Sequence, residues 1–297
     1  SWPPLLSLQR VVNQNSDVVE VTATDSGGNE AALRLLDDGE VDIPQGDYPS
    51  YTAAANETGS FADNPLGELP LFGFMNNTAE IHWMALDGTG IETTDDLAGR
   101  NNWLMPTGWG TRAINLSVAE AAGMREELTE NQVLVDDSDA PGAISQGRIE
   151  AFTAYTNNRA SLPGWLQQVD SREDIHYVEM TDSWRQGIQE SDITNLSTSP
   201  ASPYSSDVGT DELEIWVHGG AWMPGKHLSQ EVVYEICRMS GENTEALREG
   251  YDDYLDHSNA DAFIGVGADL PFHPGAAQYL REIGEWEDRD LTEGELS

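Results

Sequence analysis

The segment 105–112 places a turn with two glycines between a strand-like run and a helix-like run. Residues 103–105 are apolar and typical of the end of a buried strand, and residues 113–122 are typical of a helix. Such a turn leaves free backbone N–H groups and the positive helix end at one place, which suits an anionic or strongly polar ligand. Thr107 and Thr111 add hydroxyls that can donate and accept. Taken alone, however, the segment also fits an ordinary strand-to-helix connection.

The same order of strand, glycine turn and helix occurs nearer the start of the chain. Residues 18–24 are β-branched and strand-like, and residues 25–29 then turn the chain into a helix predicted for 30–38. A third turn, at 45–47, follows a short strand predicted at 41–43. Strands that alternate with helices predict parallel sheets covered on both faces. Ligands bind such sheets at the carboxyl ends of the strands, where these turns fall.

The charge balance is strongly acidic along the whole chain. There are 53 Asp and Glu against 14 Lys and Arg, a formal net charge of -39, and Lys226 is the only lysine. Clear strand and helix patterns persist between the acids, so a folded protein adapted to very high salt is favoured over disorder. At about 1 M salt the Debye length is near 3 Å, so self-repulsion is largely screened. No basic stripe is present to neutralise phosphates, which argues against nucleic acid as a partner.

The residues that most often carry chemistry form no recognisable motif. Cys237 is the single cysteine, which excludes an internal disulfide, and its helical surroundings predict a buried small hydrophobe. The six histidines lack metalloprotease spacing, and His273, between prolines, is interpreted as a structural hydrogen-bonding residue. The carboxylates are so numerous that no pair stands out. We therefore predict no cofactor, while a Ca²⁺ or Na⁺ site stays open because oxygen ligands are abundant.

Two polar stretches and one helix complete the local predictions. Residues 197–206 are of low complexity and predict a loop, and the acidic tail from Glu285 is predicted to fray. The helix predicted for 228–239 has Ser229 as its N-cap. No apolar run approaches the roughly 20 residues of a membrane span.

Three groups of residues resemble the TAXI family, the solute-binding proteins of TRAP-type transporters. Residues 21–29 and 33–42 resemble its Gly-Gly turn, helix and Gly-Glu-Ala-Asp strand. Residues 106–112 are similar to its Pro-x-Gly-Ser-Gly-Thr turn, with Trp109 in place of the serine. Residues 270–282 are similar to its Pro-Leu-His-Pro-Gly-Ala signature, which is the most specific of the three.

The resemblance implies an α/β fold of the two-lobed, type II periplasmic-binding-protein kind. Each lobe would be a mainly parallel sheet flanked by helices, with the ligand in the cleft between the lobes. Lobe 1 would take residues 1–87 and 213–297, and lobe 2 residues 88–212. The family also opens with a strand, and without it the sheet of lobe 1 would have a gap at its centre. We therefore expect about 10 to 40 further residues before Ser1, including a signal segment and a strand.

The function that the resemblance implies is an extracytoplasmic receptor, secreted or lipid-anchored through a removed N-terminal segment. It would capture a small anionic solute, an organic acid or acidic amino acid, and deliver it as a monomer to the permease subunits of a TRAP transporter. The alternatives are an enzyme on a similar two-lobed scaffold and a binding protein for an ABC-type importer. A surface-structural protein is a weaker alternative, since repeats and Thr-rich stalks are missing.

The predicted ligand-binding residues lie in the turns described above or are implied by the resemblance. They are Trp2, Gly27, Gly28, Asn29, Gln45, Asp47, Thr107, Gly108, Trp109, Gly110, Thr111, Arg112 and Tyr155. Residues 43–45 form a shorter run than the family has at this place. The assignment of the family's ligand-binding roles to Gln45 and Asp47 is therefore less direct than the other assignments. For Arg112 two roles are equally favoured, a bidentate grip on a carboxylate or exposure to solvent with a neighbouring acid as its partner.

Overall fold

The computed structural model describes residues 3–107, 109–191 and 194–297, and within them the chain is an α/β protein. The helices are α1 (Pro3–Asn15), α2 (Asn29–Asp37), α3 (Tyr48–Ala55), α4 (Gly110–Ala121), α5 (Arg125–Glu130), α6 (Ala140–Ser145), α7 (Gly164–Asp170), α8 (Asp182–Glu190), α9 (Gln230–Glu242), α10 (Thr244–Gly250), α11 (Ala260–Ile264) and α12 (Pro274–Glu282). The strands are β1 (Gln45–Asp47), β2 (Phe74–Leu86), β3 (Asn102–Trp103), β4 (Ala151–Asn157), β5 (Ile175–Tyr177), β6 (Leu196–Pro200), β7 (Glu212–Trp222), β8 (Pro271–Phe272) and β9 (Thr292–Glu293). The predicted α/β class is confirmed.

The chain forms two compact units. Unit 1 comprises Ser1–Asn77 and Gly219–Ser297, and unit 2 comprises Thr78–His218. The chain passes from one unit to the other within β2 and again within β7. The sequence placed these boundaries after residues 87 and 212, at the ends of the strands. The observed boundaries lie inside two long strands, where no turn residue marks them.

Unit 1 is built on packed helices over two short ladders. The apolar core includes Val11 and Val12 of α1, Phe74 at the start of β2 and Phe263 of α11, all at 2% exposure or less. β1 pairs antiparallel with the end of β7, and β8 pairs in parallel with β9. The pairing of β9 corrects the prediction that the acidic tail frays. Arg281 of α12 binds Glu293, so a tertiary ion pair holds a stretch that has no apolar pattern of its own.

The strand predicted at 18–24 is not formed. Val21 and Ala23 bond to side chains of α1 instead of to a strand. The Val21 amide donates to Asn13 Oδ1 at 2.7 Å, and Asn13 Nδ2 donates back to the Val21 carbonyl at 2.8 Å. The Ala23 amide donates to Gln9 Oε1 at 2.8 Å. Side-chain amides of α1 thus bond the backbone where the β-branched pattern predicted a partner strand.

Unit 2 is organised around β4. This strand pairs antiparallel with β2 and in parallel with β3, and β5 pairs antiparallel with β2. β6 pairs antiparallel with β7, which corrects the loop predicted for the first half of 197–206. The loop prediction failed because β6 is rich in Ser and Thr and shows no hydrophobic alternation. The Trp184 ring packs against the rings of Trp83 and Trp216, with centroid distances of 5.9 Å and 5.8 Å.

The sheets are mixed rather than mainly parallel as predicted. Among the described residues, parallel ladders join β3 to β4 and β8 to β9, while the longer ladders of β2 and β7 are antiparallel. The predicted strand at 132–135 contributes one bridge, between Gln132 and Asn102. Alternation of strands and helices along the sequence does not determine the direction of strands as long as β2 and β7. Both strands run antiparallel to partners that are distant in the sequence: β2 pairs with β4, and β7 pairs with β1 and β6.

Candidate functional site

The turn between β3 and α4 carries a buried hydroxyl without a partner. Trp109 is the N-cap residue of α4, and its side chain makes no capping hydrogen bond. The first amides of the helix therefore lack partners within the helix. Thr111 is 7% exposed, and its Oγ1 has no hydrogen-bond partner in the part of the chain that the structure describes. Met105 reaches the turn with a φ of 78°, a rare conformation for a side-chain-bearing residue.

Arg112 does not point to solvent, which was one of the two roles suggested for it, and its grip on a carboxylate stays a prediction. Its guanidinium is buried, and Nη1 donates to the Met105 carbonyl at 3.0 Å while Nη2 donates to Gln132 Oε1. Burial lowers the pKa of Arg112 from its ordinary value. The side chain therefore ties α4 back to the end of β3 and to residue 132. Its proposed grip on a carboxylate would compete with these bonds.

The start of α4 is positioned against β4 by Asn115. Asn115 Nδ2 donates to Thr153 Oγ1 at 3.0 Å, and its Oδ1 accepts from Trp216 Nε1 at 2.9 Å. β3 and β4 are parallel, with Trp103 opposite Phe152. The turn that follows β3 therefore adjoins the second half of β4, where the half-buried Tyr155 lies. Asn115 is fully buried, so this geometry is held by a satisfied polar network.

The turn before α2 is a second helix start, in unit 1. Gly27 and Gly28 have φ values of 77° and 129°, which only glycine adopts readily. Asn29 Nδ2 donates to Asp47 Oδ2 at 2.7 Å. Asp47 also caps α3 by accepting from the Ser50 amide at 2.8 Å. The Asp47 carboxylate thus binds two partners within unit 1, and through Asn29 it holds the start of α2 beside α3.

Four of the predicted residues line one cavity of about 560 Å³ in unit 1. Its polar end is formed by Gly27, Gly28, Asn29 and Gln45. The rest is lined by apolar side chains of α1, of residues 19–21 and 41–43, of Leu228 and of α9, and also by polar residues: Glu20, Thr22, Thr24, Asp25, Ser26, Glu40 and Asp42. The cavity therefore combines backbone amides, two side-chain amides and an apolar surface with several carboxylates.

The predicted site residues fall into two groups, one in each unit. Gly27, Gly28, Asn29, Gln45 and Asp47 belong to unit 1, and Thr107, Trp109, Gly110, Thr111, Arg112 and Tyr155 belong to unit 2. Trp2 and Gly108 lie outside the described residues. The convergence of the two groups on one ligand stays a prediction.

Comparison with protein-family models gives one match, to the NMT1-like family, over residues 5–284. The chain belongs to the NMT1-like family. The matched range begins in α1 and ends just after α12, so it includes both turns. No curated protein matches the sequence.

Solved structures with a similar fold include several binding proteins. The malate-bound MatC of Rhodopseudomonas palustris matches with a TM-score of 0.49 at 11% identity, over 96% of this chain and 91% of that one. SsuA, the periplasmic aliphatic sulphonate binding protein of Escherichia coli, matches with a TM-score of 0.44 at 12% identity, over 95% and 76%. The probable amino-acid binding protein ytmK of Bacillus subtilis matches with a TM-score of 0.44 at 11% identity, over 87% and 89%. At these identities the likeness concerns the fold alone.

The NMT1-like chain also contains a polar cluster that the sequence did not single out. Asn76 of β2 is fully buried, and neither polar atom of its side chain has a partner among the described residues. A Cβ at Gly220 would lie 2.6 Å from Asn76 Oδ1, 2.5 Å from Asn77 Oδ1 and 3.0 Å from Gln45 Nε2. Glycine at 220 is therefore required for three side-chain amides to meet there. The signal in the sequence is the Asn-Asn pair near the start of β2.

The described part of this NMT1-like chain holds no cluster of three or more His, Cys, Asp or Glu side chains suited to a metal ion. It also holds no helix that is long and apolar enough to cross a membrane. Cys237 is buried, as predicted, and burial raises the pKa of its thiol. His273 caps α12 by accepting from the Gly275 amide at 3.1 Å, which confirms its structural interpretation.

Proposed function

We propose that this NMT1-like chain is an extracytoplasmic receptor for a small anionic solute, an organic acid or acidic amino acid, of the TAXI kind. The observation that carries the proposal is the buried, unpartnered Thr111 hydroxyl at the uncapped start of α4. A buried polar group without a hydrogen-bond partner is uncommon in proteins, and a ligand or a water molecule usually supplies the missing hydrogen bond. The helix start favours a negative charge at that place.

Short-range donors must hold the anion, because the summed charge of the protein repels it. The net charge is -39, and in high salt the long-range field is screened in any case. Backbone amides at the start of α4 and at Gly27 to Asn29 act only on contact, so they are not weakened in this way. Neutral donors of this kind explain how so acidic a chain can select an anion.

A receptor is favoured over an enzyme by the state of two buried histidines, His82 and His273. His82 Nδ1 donates to the Glu80 carbonyl at 2.9 Å, and Nε2 accepts from the Tyr204 hydroxyl at 2.6 Å. His273 is engaged as the cap of α12. Both rings therefore serve structural bonds rather than standing free as a general base beside the turns.

A thermal-shift screen in about 3 M chloride tests the proposed ligand class. Dicarboxylates, glutamate, monocarboxylates and sulfonates would be compared with uncharged polyols of similar size. A solute that binds only the folded state stabilises it by about 2.7 kcal/mol at a hundred times its Kd. We expect the melting temperature to rise with at least one class of acid and with no polyol. Polyols that act as strongly as the acids would refute an anion receptor.

Delivery to a TRAP-type permease is tested separately. The receptor would be added to liposomes that carry TRAP-type permease subunits of the same organism, with the solute identified in the screen. Uptake that depends on the receptor supports the proposal. Uptake only through an ABC-type importer of that organism would favour the alternative binding-protein class.

A further inference from the structure

The chain reverses direction just after β4, in a turn centred on Asn158 and Arg159. The Ala160 amide donates to the Asn157 carbonyl at 2.9 Å, and the Asn157 amide donates to the Ser161 carbonyl at 2.8 Å. Asn158 and Arg159 have φ values of 51° and 58°. Positive φ at both central residues is the type I′ arrangement, which strongly favours glycine at the second of them. Arginine at that position therefore has a conformational cost.

A buried carboxylate holds the backbone of this turn. The Arg159 amide donates to Glu80 Oε2 at 2.8 Å, and the same oxygen accepts from Thr156 Oγ1 at 2.7 Å. The other oxygen of Glu80, which is 1% exposed, accepts from the Thr78 hydroxyl. These bonds reach a backbone amide and two hydroxyls. The turn is thus held without the use of the Arg159 side chain.

The Arg159 side chain is exposed and has little to bind in its own unit. Within the described ranges its guanidinium makes one hydrogen bond, from Nη2 to Ser197 Oγ at 3.3 Å. No Asp or Glu of those ranges forms an ion pair with it, although the chain has 53 such residues. Backbone strain of this kind persists mainly where a side chain is needed for function. The charge of Arg159 is therefore available to a ligand.

The topology of unit 2 places Arg159 at the same edge of the sheet as the turn before α4. β3 and β4 are parallel, so their carboxyl ends lie at one edge, where ligands bind such sheets. The turn that leads to Thr111 follows β3, and Arg159 follows β4. Arg112 of α4 differs, because it is bonded to Met105 and Gln132.

We propose that Arg159 binds a second anionic group of the solute and so determines specificity for acids with two such groups. The inference rests on the proposed receptor function and deepens it. One carboxylate lies at the start of α4, beside the Thr111 hydroxyl, and a second accepts two parallel hydrogen bonds from the Arg159 guanidinium. These bonds act on contact, so screening by molar salt weakens them less than it weakens long-range attraction.

The first test uses the free protein. Arg159→Gly removes the side chain and supplies the residue that this turn favours. We expect the melting temperature in about 3 M chloride to stay the same or to rise by about 2 °C or more. A residue kept for binding is expected to behave in this way, since the strain is relieved when the side chain is lost. A clear fall in melting temperature would show that the Ser197 bond stabilises the fold, and it would overturn the proposal.

The second test is calorimetry in about 3 M chloride with succinate and glutarate, each compared with its monoamide. The two members of a pair have the same chain length and differ in one charge. We expect wild type to bind at least one diacid about tenfold or more tightly than its monoamide. Arg159→Gln should remove this preference by weakening the diacid alone, and Arg159→Lys should retain part of it. A wild type that binds no diacid better than its monoamide would overturn the proposal.

Arg172→Gln is the matched control. Arg172 is also an exposed arginine of unit 2, and it has no ion pair among the described residues. It precedes β5, which like β4 runs antiparallel to β2, so Arg172 lies at the opposite edge of the sheet. Its loss should leave the preference for the diacid unchanged. An equal effect of Arg172→Gln would mean that net charge, and not contact with Arg159, produces the preference.

The receptor function and the role of Arg159 fail separately. If acids with one anionic group raise the melting temperature as much as diacids do, the receptor function stands and the role of Arg159 is wrong. If no acid of the screen has an effect, the receptor function is wrong and the role of Arg159 falls with it.

Discussion

At the scale of single residues, Thr111 combines burial with an unpartnered hydroxyl. If that hydroxyl binds the solute, Thr111→Ala should weaken binding by about 1–3 kcal/mol, because a buried ligand oxygen loses its donor. Stability of the free protein should change by less than about 1 kcal/mol, since the hydroxyl makes no capping bond. Calorimetry with the solute from the screen measures the first effect, and thermal unfolding measures the second.

The control is Thr129→Ala, because Thr129 is a half-buried threonine of the same unit and lies outside the turn. Its hydroxyl donates to the Arg125 carbonyl inside α5 at 2.8 Å. This variant should leave affinity unchanged. Unaltered affinity in the double variant Thr107→Ala with Thr111→Ala would remove the turn from the binding site.

His82 predicts a pH dependence of stability at the same scale. Burial lowers the pKa of His82 to about 4, against the opposing effect of its hydrogen bond to the Glu80 carbonyl. The unfolded chain takes up the proton near pH 6.5, while the folded chain resists it down to about pH 4. The stabilising contribution of neutral His82 is therefore complete above pH 6.5. It falls by roughly 3 kcal/mol as the pH drops to 4.

Denaturant unfolding between about pH 7.5 and pH 4 in molar salt tests this dependence. We expect His82→Gln to unfold more easily at neutral pH and to show a shallower loss of stability on acidification. His227→Gln is the matched variant, since the His227 side chain is 51% exposed beside Asp42. The same slope in wild type and His82→Gln would show that His82 does not carry the effect.

At the scale of elements, the contact between α4 and α8 depends on one glycine. A Cβ at Gly187 of α8 would lie 2.8 Å from the Ala122 amide nitrogen and 2.9 Å from the Val118 carbonyl oxygen. These backbone atoms cannot move without displacing α4. Gly187→Ala should therefore destabilise the protein by about 1–3 kcal/mol, despite the better helix propensity of alanine.

Gly142→Ala is the control, because Gly142 lies in the short helix α6 with nothing within 4 Å of the added Cβ. That substitution should be neutral or stabilising by up to about 1 kcal/mol. Both substitutions gain helix propensity, but only Gly187→Ala adds a clash. A comparison of their unfolding curves therefore separates the effect of close packing from that of helix propensity. A stabilised Gly187→Ala protein would contradict the close approach of α8 to α4.

At the scale of the whole molecule, the charge predicts a dependence on salt. With a formal net charge of -39, lowering the salt should expose strong self-repulsion. We expect circular dichroism to show a well-formed protein in about 3 M chloride and a loosened or unfolded one in about 0.05 M. An unchanged melting temperature in the two salts would refute adaptation to high salt. Sucrose in place of salt is the control, since it strengthens burial without screening charge.

The sequence predicted the two helix starts of the candidate site, because their signals are local. The turns at 25–29 and 107–111 were found at helix starts, where glycine and a change of periodicity mark them. The role of Arg112 could not be predicted in this way. Its partners are a carbonyl seven residues earlier and the side chain of Gln132, and their positions depend on packing. The buried amide of Asn76 was missed for the same reason, since its burial depends on what packs around β2.

The sequence by itself determined the α/β class, most helix positions and the two glycine turns, because backbone conformation responds to neighbouring residues. Only the tertiary structure decided which extended segments become strands. Segment 18–24 has a strong strand pattern but bonds to Asn13 and Gln9 of α1, whereas β6 has a weak pattern and pairs with β7. A strand exists only when another backbone lies alongside to complete its hydrogen bonds. That partner comes from a distant part of the chain, so local sequence does not specify it.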